Sequence, residues 1–532
     1  MKKKDNRGQA ESPRMQPGRR VARRKKANHS GSRPASLQKI LPLFPLMLAV
    51  GVVPLVVFLK VTPIPPEYQQ FWVTSYVFDF FSFYKAQIIL ACAGLLLAAV
   101  LVLVFLDRLS WKKNLLYIPL GIYAILLIAS TIASKYPSIA QGGFFDRAEG
   151  MWVLLAYIVL LAGTYQLVTE TKQAWWILSA WAAALCVVSV IGIFQFFGLD
   201  FFSSMAGRLL IVPARYRSIA AALDFNFPRF YIYSTLYNPN YVASMMSLAF
   251  PVAATGFILA QSRKRQGIFG LLAGLLCLTL VGANGRVGWI AVLLALVLLV
   301  ALSIRRGIPG WWKRLGILVL VAVVEFGMLN YASHGNMSAR ASQPVEEAGK
   351  MLGSGTSPAI AGNTQTPEET KSEGLAEQLI RKYGGLASGR GYIWIRSLQM
   401  AGGTILLGRG PDTFALYFPN QDAYKTFYNP FSQSEIFIDK PHNMYLQLWL
   451  NLGGLATLAF LAMAVMHFIR TFRLLKHARP TGDRYLLALG LFIGWCAYLL
   501  AAFFYDSAVS VAPAFWIVFG LSLAMNEQLN LT

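Results

Sequence analysis

Residues 441–447 read Pro-His-Asn-Met-Tyr-Leu-Gln, and they mark the point at which a long polar loop, residues 332–442, runs into an apolar helix. The same alternation of polar loops and apolar runs extends along the 532-residue chain, which is 56% hydrophobic and 14% charged, with a mean hydropathy of +0.50. A soluble protein carries roughly a quarter charged residues. The composition therefore predicts an integral membrane protein without a separate soluble domain of ordinary size.

The apolar runs set the fold class. Each is about 17 to 25 residues long, enough to cross a hydrocarbon core of about 30 Å as a helix. We predict an all-α polytopic integral membrane protein of about twelve transmembrane helices, at residues 40–60, 86–106, 114–133, 150–168, 174–197, 241–261, 267–283, 286–303, 315–331, 443–468, 485–504 and 508–526. All four cysteines fall inside these runs, so neither a disulfide framework nor a zinc site is indicated.

The basic residues predict the orientation. Residues 1–39 hold thirteen Lys or Arg and two acids, so we predict a disordered cytoplasmic tail that acts at the membrane surface, with a specific partner as the alternative. The net charge of +24 is not gathered in one folded patch, and no nucleic acid partner is expected. The short basic loops fall on the side of the tail, at residues 107–113, 263–265, 305–314 and 470–484. The positive-inside rule then makes both termini cytoplasmic and the long loops extracytoplasmic.

The large extracytoplasmic loop, residues 332–442, has two parts. Residues 341–377 contain no aromatic side chain and are rich in Ser, Gly, Thr, Pro and Glu, which predicts a disordered insertion. Aromatic residues return in 383–442, which we expect to be ordered and to form the catalytic part. Here Ser388-Gly389-Arg390 predicts the capped start of an amphipathic helix, which ends near Gly402-Gly403.

His442 is the first candidate for chemistry. Of the five histidines, only His334 and His442 fall on the predicted outer side, and His334 lies in polar loop sequence. His442 stands in the first turn of a predicted span, where a neutral imidazole could accept a proton from a hydroxyl or orient it. A histidine that caps a helix without chemistry is the alternative.

Arg286 and Arg390 share a local design. Each follows a glycine and opens a helix, and the first amides of a helix suit an anion. A planar guanidinium can bind a phosphate through two hydrogen bonds, so the pair would suit a diphosphate. The alternatives are an arginine that snorkels to the interface for Arg286 and a solvated loop arginine for Arg390.

Arg147 and Arg229 are weaker candidates for substrate binding. Arg147 lies in a loop with Asp146 and Glu149, and an ion pair within that loop is an equally good interpretation. Arg229 precedes the turn at Asn238-Pro239-Asn240.

Several familiar motifs are missing. The sequence contains no G-x-x-x-x-G-K loop, no His-Glu-x-x-His and no outer acidic cluster with metal-ligand spacing. Neither a cofactor nor a metal is expected. A substrate that is already activated, and that needs only cationic stabilisation of its leaving group, fits these residues better.

Taken in order, these motifs resemble the O-antigen ligase and O-antigen polymerase superfamily of bacterial membrane glycosyltransferases, which includes protein O-oligosaccharyltransferases. The resemblance covers roughly residues 114–470. It rests on Asn238-Pro239-Asn240-Tyr241, Gly285-Arg286, Ser388-Gly389-Arg390 with Ile393-Trp394, Leu407-Gly408-Arg409-Gly410, and Pro441-His442-Asn443 with Tyr445-Leu446-Gln447 and Gly453-Gly454. The family's small-residue-Arg-Gly triplet is Gly285-Arg286-Val287 here, which is a departure.

The resemblance implies a GT-C-like fold and a reaction. A glycan would pass from undecaprenyl diphosphate to an acceptor hydroxyl of a lipid, a glycan or a protein, at the outer face of the bacterial cytoplasmic membrane, without metal and with inversion. Arg286 and Arg390 would bind and stabilise the diphosphate, and His442 would position or activate the acceptor. The same motifs add Asn240, Arg409 and Asn443 as substrate-binding candidates.

A transporter or flippase of lipid-linked oligosaccharide is the alternative function. Such carriers are expected to have paired repeats and broken helices near the middle of the membrane. In this sequence the unusual residues instead cluster in loops on one predicted face.

Overall fold

The computed structural model describes residues 39–71, 75–223, 225, 227–339, 342, 374–420 and 438–530. The chain divides into the units Met1–Leu41 and Pro42–Thr532. Only residues 39–41 of the first unit are described, so almost all of the predicted tail, residues 1–39, lies outside the described residues. Most of the predicted insertion, residues 341–377, lies outside them too, although a helix already begins at Leu375.

The second unit is built almost entirely from helices. Its helices and its two strands, numbered separately in chain order, are α1 (Phe44–Gly51), β1 (Lys60–Pro63), β2 (Tyr76–Asp79), α2 (Phe83–Phe105), α3 (Tyr117–Ile132), α4 (Pro137–Gly142), α5 (Met151–Leu167), α6 (Thr171–Phe196), α7 (Met205–Ile211), α8 (Pro239–Leu259), α9 (Arg263–Gly282), α10 (Arg286–Arg305), α11 (Trp311–Ala332), α12 (Leu375–Tyr383), α13 (Leu386–Ala401), α14 (Phe414–Tyr417), α15 (Met444–Leu452), α16 (Gly454–His477), α17 (Gly482–Ala501) and α18 (Ala512–Asn530). Short 3-10 turns join several of them.

The predicted class of an all-α polytopic membrane protein is confirmed. Within the described residues, eight helices are long and apolar enough to cross a membrane: α2, α6, α8, α9, α10, α11, α16 and α17. The count of twelve stays a prediction, because α3 and α5 are apolar but only 16 and 17 residues long.

Two local features were not predicted from the sequence. Strands β1 and β2 form a small antiparallel sheet, with Lys60 opposite Asp79. The run predicted as one helix, residues 443–468, is broken at Gly453 into α15 and α16. Gly453 has a φ of +106°, and a Cβ placed there would lie 2.7 Å from the Leu406 carbonyl oxygen. The break therefore comes from a close backbone contact that hydropathy does not record.

The core is centred on α8 and α17. Both helices are buried over most of their length and pack on each other, while only a small part of α11 is buried. A Cβ on Gly494 of α17 would lie 2.2 Å from the Leu248 carbonyl oxygen of α8. Small residues at such contacts let membrane helices approach closely. This packing contributes to helix association because lipid supplies no hydrophobic force that drives the helices together.

The loops gather on two faces. On one, which we call the site face, Ser82 contacts the loop before α5 and Phe144 donates its backbone N–H to Asp412. On the other, which we call the basic face, Arg265 pairs with Asp483 and Arg470 pairs with Glu527. The chain thus places its long loops at one end of the helix bundle and most of its short basic loops at the other.

Candidate functional site

A cavity of about 480 Å³ lies on the site face. Its wall comes from the start of α8, the turn between α9 and α10, the start of α13, and the residues before α15 and after α17. Four of the predicted site residues line it: Asn240, Arg286, Arg390 and His442. The structure thus brings the three predicted catalytic residues together around one cavity.

Arg286 is the first residue of α10, in a turn that requires glycine before it. A Cβ on Gly285 would lie 2.6 Å from the Cβ of Ala243 and 2.7 Å from the hydroxyl oxygen of Tyr505. The Tyr505 hydroxyl in turn accepts the backbone N–H of Gly288 at 3.1 Å. Gly285 therefore allows a close approach of α10 to α8 and to the loop after α17.

Arg390 follows a run of left-handed backbone. Ala387, Ser388 and Gly389 have φ values of +52°, +63° and +85°, so the regular part of α13 starts only at Arg390. The guanidinium of Arg390 donates to the Ala387 carbonyl at 3.1 Å. Two consecutive non-glycine residues in this region are uncommon and cost energy, and such strain is frequent at functional sites.

Ser388 links the two arginines. Its hydroxyl oxygen lies 2.8 Å from Nη2 of Arg286, which donates to it. The serine predicted to cap the helix at Arg390 thus holds the guanidinium of the other arginine. Both cations are oriented toward the cavity by the same turn.

His442 pairs with a residue that the sequence reasoning missed. Its Nδ1 lies 2.9 Å from Oδ2 of Asp506, in the loop between α17 and α18. The Asp506 side chain is 2% exposed and that of His442 is 30% exposed, so the carboxylate is buried and the ring reaches the cavity. A charged side chain at membrane depth needs a partner. This requirement is the feature of the sequence that could have identified Asp506 as a site residue.

The electrostatic setting keeps Asp506 ionised. Burial raises its pKa, but the neighbouring His442, Lys440 and Arg147 outweigh burial and hold the pKa of Asp506 below its ordinary value. When the imidazole is neutral, an ionised carboxylate accepts its Nδ1–H, and Nε2 then keeps its lone pair. His442 is therefore arranged to accept a proton at Nε2.

Asn443 has a local structural role. Its side-chain oxygen accepts the backbone N–H groups of Tyr445 at 2.9 Å and Leu446 at 3.0 Å, which caps α15. It is 8% exposed and does not line the cavity. The cap fixes the start of α15 next to His442.

Arg147 lies behind the cavity wall. It pairs with Asp412 at 3.1 Å and with Asp439 at 2.5 Å, rather than with the Asp146 or Glu149 of its own loop. Asp439 lines the cavity. Burial raises its pKa, but the nearby Arg147 and Lys440 have the larger opposite effect and hold the pKa well below the ordinary value. Arg147 thus anchors an acidic wall residue.

A smaller polar cavity of about 60 Å³ shares Asp439 with the first. Burial, with Asp439 nearby, raises the pKa of Asp146 to about 7. Burial, with Asp412 nearby, raises the pKa of Glu149 to about 7, although hydroxyls of Tyr157 and Ser507 donate to its carboxylate. The buried loop before α5 therefore carries two carboxyls that take up protons near neutral pH.

Arg229 and Arg409 do not line the cavity. Arg229 is exposed beside Gly198, and the guanidinium of Arg409 stacks on the ring of Tyr417 at 4.4 Å. Within the described part of the chain, no group of three His, Cys, Asp or Glu side chains is arranged to hold a metal ion.

Part of the chain matches a known protein family. Residues 271–461 match a family described as O-antigen ligase. The matched segment contains Arg286, Arg390 and His442, and it ends before Asp506. Comparison with curated proteins gives no match.

Proposed function

We propose that the chain is a membrane glycosyltransferase that transfers a glycan from a lipid-linked diphosphate donor to an acceptor hydroxyl, on the ground that residues 271–461 match the O-antigen ligase family. The donor would be a glycan linked to undecaprenyl diphosphate, and the site face would be the outer face of a bacterial cytoplasmic membrane. The observation that carries the proposal is the convergence of Arg286, Arg390 and His442 on one cavity.

In this proposal Arg286 and Arg390 bind the diphosphate. Two guanidinium groups aimed into one cavity can each form paired hydrogen bonds to phosphate oxygens. Their charge opposes the negative charge that develops on the leaving diphosphate, where a preorganised cation lowers the barrier most. Ser388 keeps Arg286 oriented before the donor arrives.

His442 acts on the acceptor. Nε2 takes the hydroxyl proton while the acceptor oxygen attacks the anomeric carbon from the side opposite the diphosphate. The bond from the anomeric carbon to the diphosphate oxygen breaks, and the lipid diphosphate leaves with the electron pair. Asp506 stabilises the imidazolium that forms, through Nδ1. The product has inverted configuration.

The test uses purified protein in detergent with a lipid-linked donor and separate lipid, glycan and protein acceptors. We expect His442→Ala and Arg390→Ala to abolish transfer, and Arg286→Lys to keep only part of it, because an ammonium cannot bind two phosphate oxygens in a planar fork. His477→Ala and Arg263→Ala, exposed on the basic face, are matched controls.

Product formation in detergent also separates this proposal from a flippase, since transport has no meaning without a sealed membrane. Full transfer by His442→Ala would remove the proposed role of this residue. Absence of transfer to every acceptor class by the unaltered protein would count against the enzyme as a whole.

A further inference from the structure

A second cavity, of about 260 Å³, lies far from the proposed catalytic site, between α6, α8 and α9. Its lining is almost wholly apolar, with Leu185, Ala249 and Leu276 at its inner end. The exposed residues Ser179 and Ile268 lie on its rim, on two helices that are apolar enough to span a membrane. We call it the lateral groove, because hydrocarbon of the surrounding bilayer can enter it from the side.

The mouth of the lateral groove is polar and basic. Arg265 lines it and is 51% exposed, and the exposed Arg263 and Lys264 precede it at the start of α9. Trp175 also lines the groove, and its indole Nε1 donates to Asp483 at 3.1 Å, which is the carboxylate that pairs with Arg265. Tryptophan with one polar contact is typical of the membrane–water interface. These residues mark the level of lipid headgroups.

The length of the groove matches one leaflet. Arg265 and Leu276 are eleven residues apart on α9, which is roughly 16 Å at the rise of an α-helix. That is about half of the roughly 30 Å hydrocarbon core of a bilayer. The groove therefore extends from the headgroups to the middle of the membrane.

We propose that the lateral groove binds one acyl chain of an acidic phospholipid, whose phosphate contacts Arg265. The size and apolarity of the groove fit an acyl chain, and Arg265 in its lining favours an anionic headgroup over a zwitterionic one. Arg265 keeps N–H groups for a phosphate because its ion pair with Asp483 uses Nη1 alone and a guanidinium has five N–H donors.

The bound lipid would contact two helices that also build the proposed catalytic cavity. Ala249 and Ala253 on the groove floor belong to α8, and the other end of α8 carries Asn240. Helix α9 leads into the turn before Arg286. Lipid binding would therefore stabilise the packing of helices that also form the catalytic cavity. The binding itself does not depend on the proposed reaction.

The test measures retention of dioleoyl phosphatidylglycerol and dioleoyl phosphatidylcholine by the purified full chain in detergent, using native mass spectrometry. We expect one tightly held phosphatidylglycerol and weaker retention of phosphatidylcholine. Ala182→Phe fills the groove and should abolish that retention. Ala183→Phe, on the neighbouring exposed position that does not line the groove, should not.

The headgroup contact has its own pair of variants. Arg265→Gln should weaken phosphatidylglycerol binding about fivefold, the contribution of one basic residue near an anionic headgroup. Arg263→Gln, exposed but outside the groove lining, should bind as the unaltered protein. Equal retention of the two lipids, or unchanged binding by Arg265→Gln, would overturn the proposal. Arg265 is exposed, so its replacement leaves the packing of the core intact.

Discussion

The imidazole of His442 is held in place by contacts from distant parts of the chain. Asp506 accepts from its Nδ1, and the Trp394 indole donates to the carbonyl of the preceding Pro441 at 3.0 Å. His442 itself has a φ of +50°, in the left-handed region. A side chain fixed in this way loses little freedom when the acceptor binds, which is what a positioned base requires.

Replacing Asp506 by Asn tests this arrangement. The amide can donate to Nδ1 and so favour the tautomer in which Nε2 carries the proton, and we expect transfer to fall about a hundredfold or more. Initial rates at saturating donor provide the measurement, with donor KM nearly unchanged. Asp107→Asn is the matched control, because Asp107 is exposed near the basic face and Asn also accepts its left-handed backbone. Full activity of Asp506→Asn would contradict the proposed role.

Glu149 gives a prediction about pH. Its folded pKa of about 7 lies above the ordinary 4.5, so the stability it contributes is fully present below pH 4.5 and is lost as pH rises through 7. Glu149→Gln should therefore increase the free energy of unfolding at pH 8 by up to about 3 kcal/mol, which raises Tm. At pH 4.5 it should change Tm little. Thermal unfolding in detergent measures this, with exposed Glu67→Gln as control. An equal effect of Glu149→Gln at both pH values would disprove it.

Sequence patterns could single out some residues of the candidate site but not their partners. Arg286, Arg390 and His442 each stand where a polar segment turns into a helix, which is a local signal. The partners Asp412 and Asp439 of Arg147 lie 265 and 292 residues away along the chain. No local pattern carries such a pairing, so the sequence could offer only the neighbours Asp146 and Glu149.

At the scale of elements, the junction of α15 and α16 depends on a close backbone contact. Gly408 packs on the end of α15, where a Cβ would lie 2.2 Å from the Asn451 carbonyl oxygen, and Gly453 packs on Leu406. Hydropathy runs unbroken across Gly453, which is why the sequence predicted one span there. The contact turns α15 into a separate short helix that carries the residues after His442.

Alanine at these glycines should loosen that junction. For Gly453→Ala and Gly408→Ala we expect a loss of unfolding free energy of roughly 1–3 kcal/mol each, from strained backbone and steric overlap. Thermal unfolding and the monodisperse fraction on size exclusion are the measurements. Gly402→Ala and Gly403→Ala are matched controls, since a Cβ at either position meets nothing within 4 Å. Tm values equal to those of the controls would show that the junction tolerates a side chain.

At the scale of the whole molecule, the charge distribution predicts how the chain sits in the membrane. Basic loops cluster at the end of the bundle opposite the candidate site, so the site face should be outside. The fold class was legible from composition because membrane spans need long apolar runs. The count of twelve spans stays a prediction, because α3 and α5 are apolar but short.

Cysteine labelling tests the orientation. In a variant whose native cysteines are replaced by alanine, Ser203→Cys on the site face should react with a membrane-impermeant maleimide in intact cells, since Ser203 is exposed. Lys264→Cys, exposed on the basic face, should react only after lysis. The opposite labelling pattern would invert the proposed topology and with it the side on which transfer occurs.

The pairing of His442 with Asp506 also affects biosynthesis. The two partners are 64 positions apart in the chain, with α15, α16 and α17 between them. A ribosome that has just delivered His442 to the membrane has not yet made the carboxylate that orients it. During translation the nascent chain can therefore complete the anion-binding half of the site, with Arg286 and Ser388, before the histidine can function as a base. Catalytic competence would appear late and abruptly, only after the insertion machinery has released all three intervening helices.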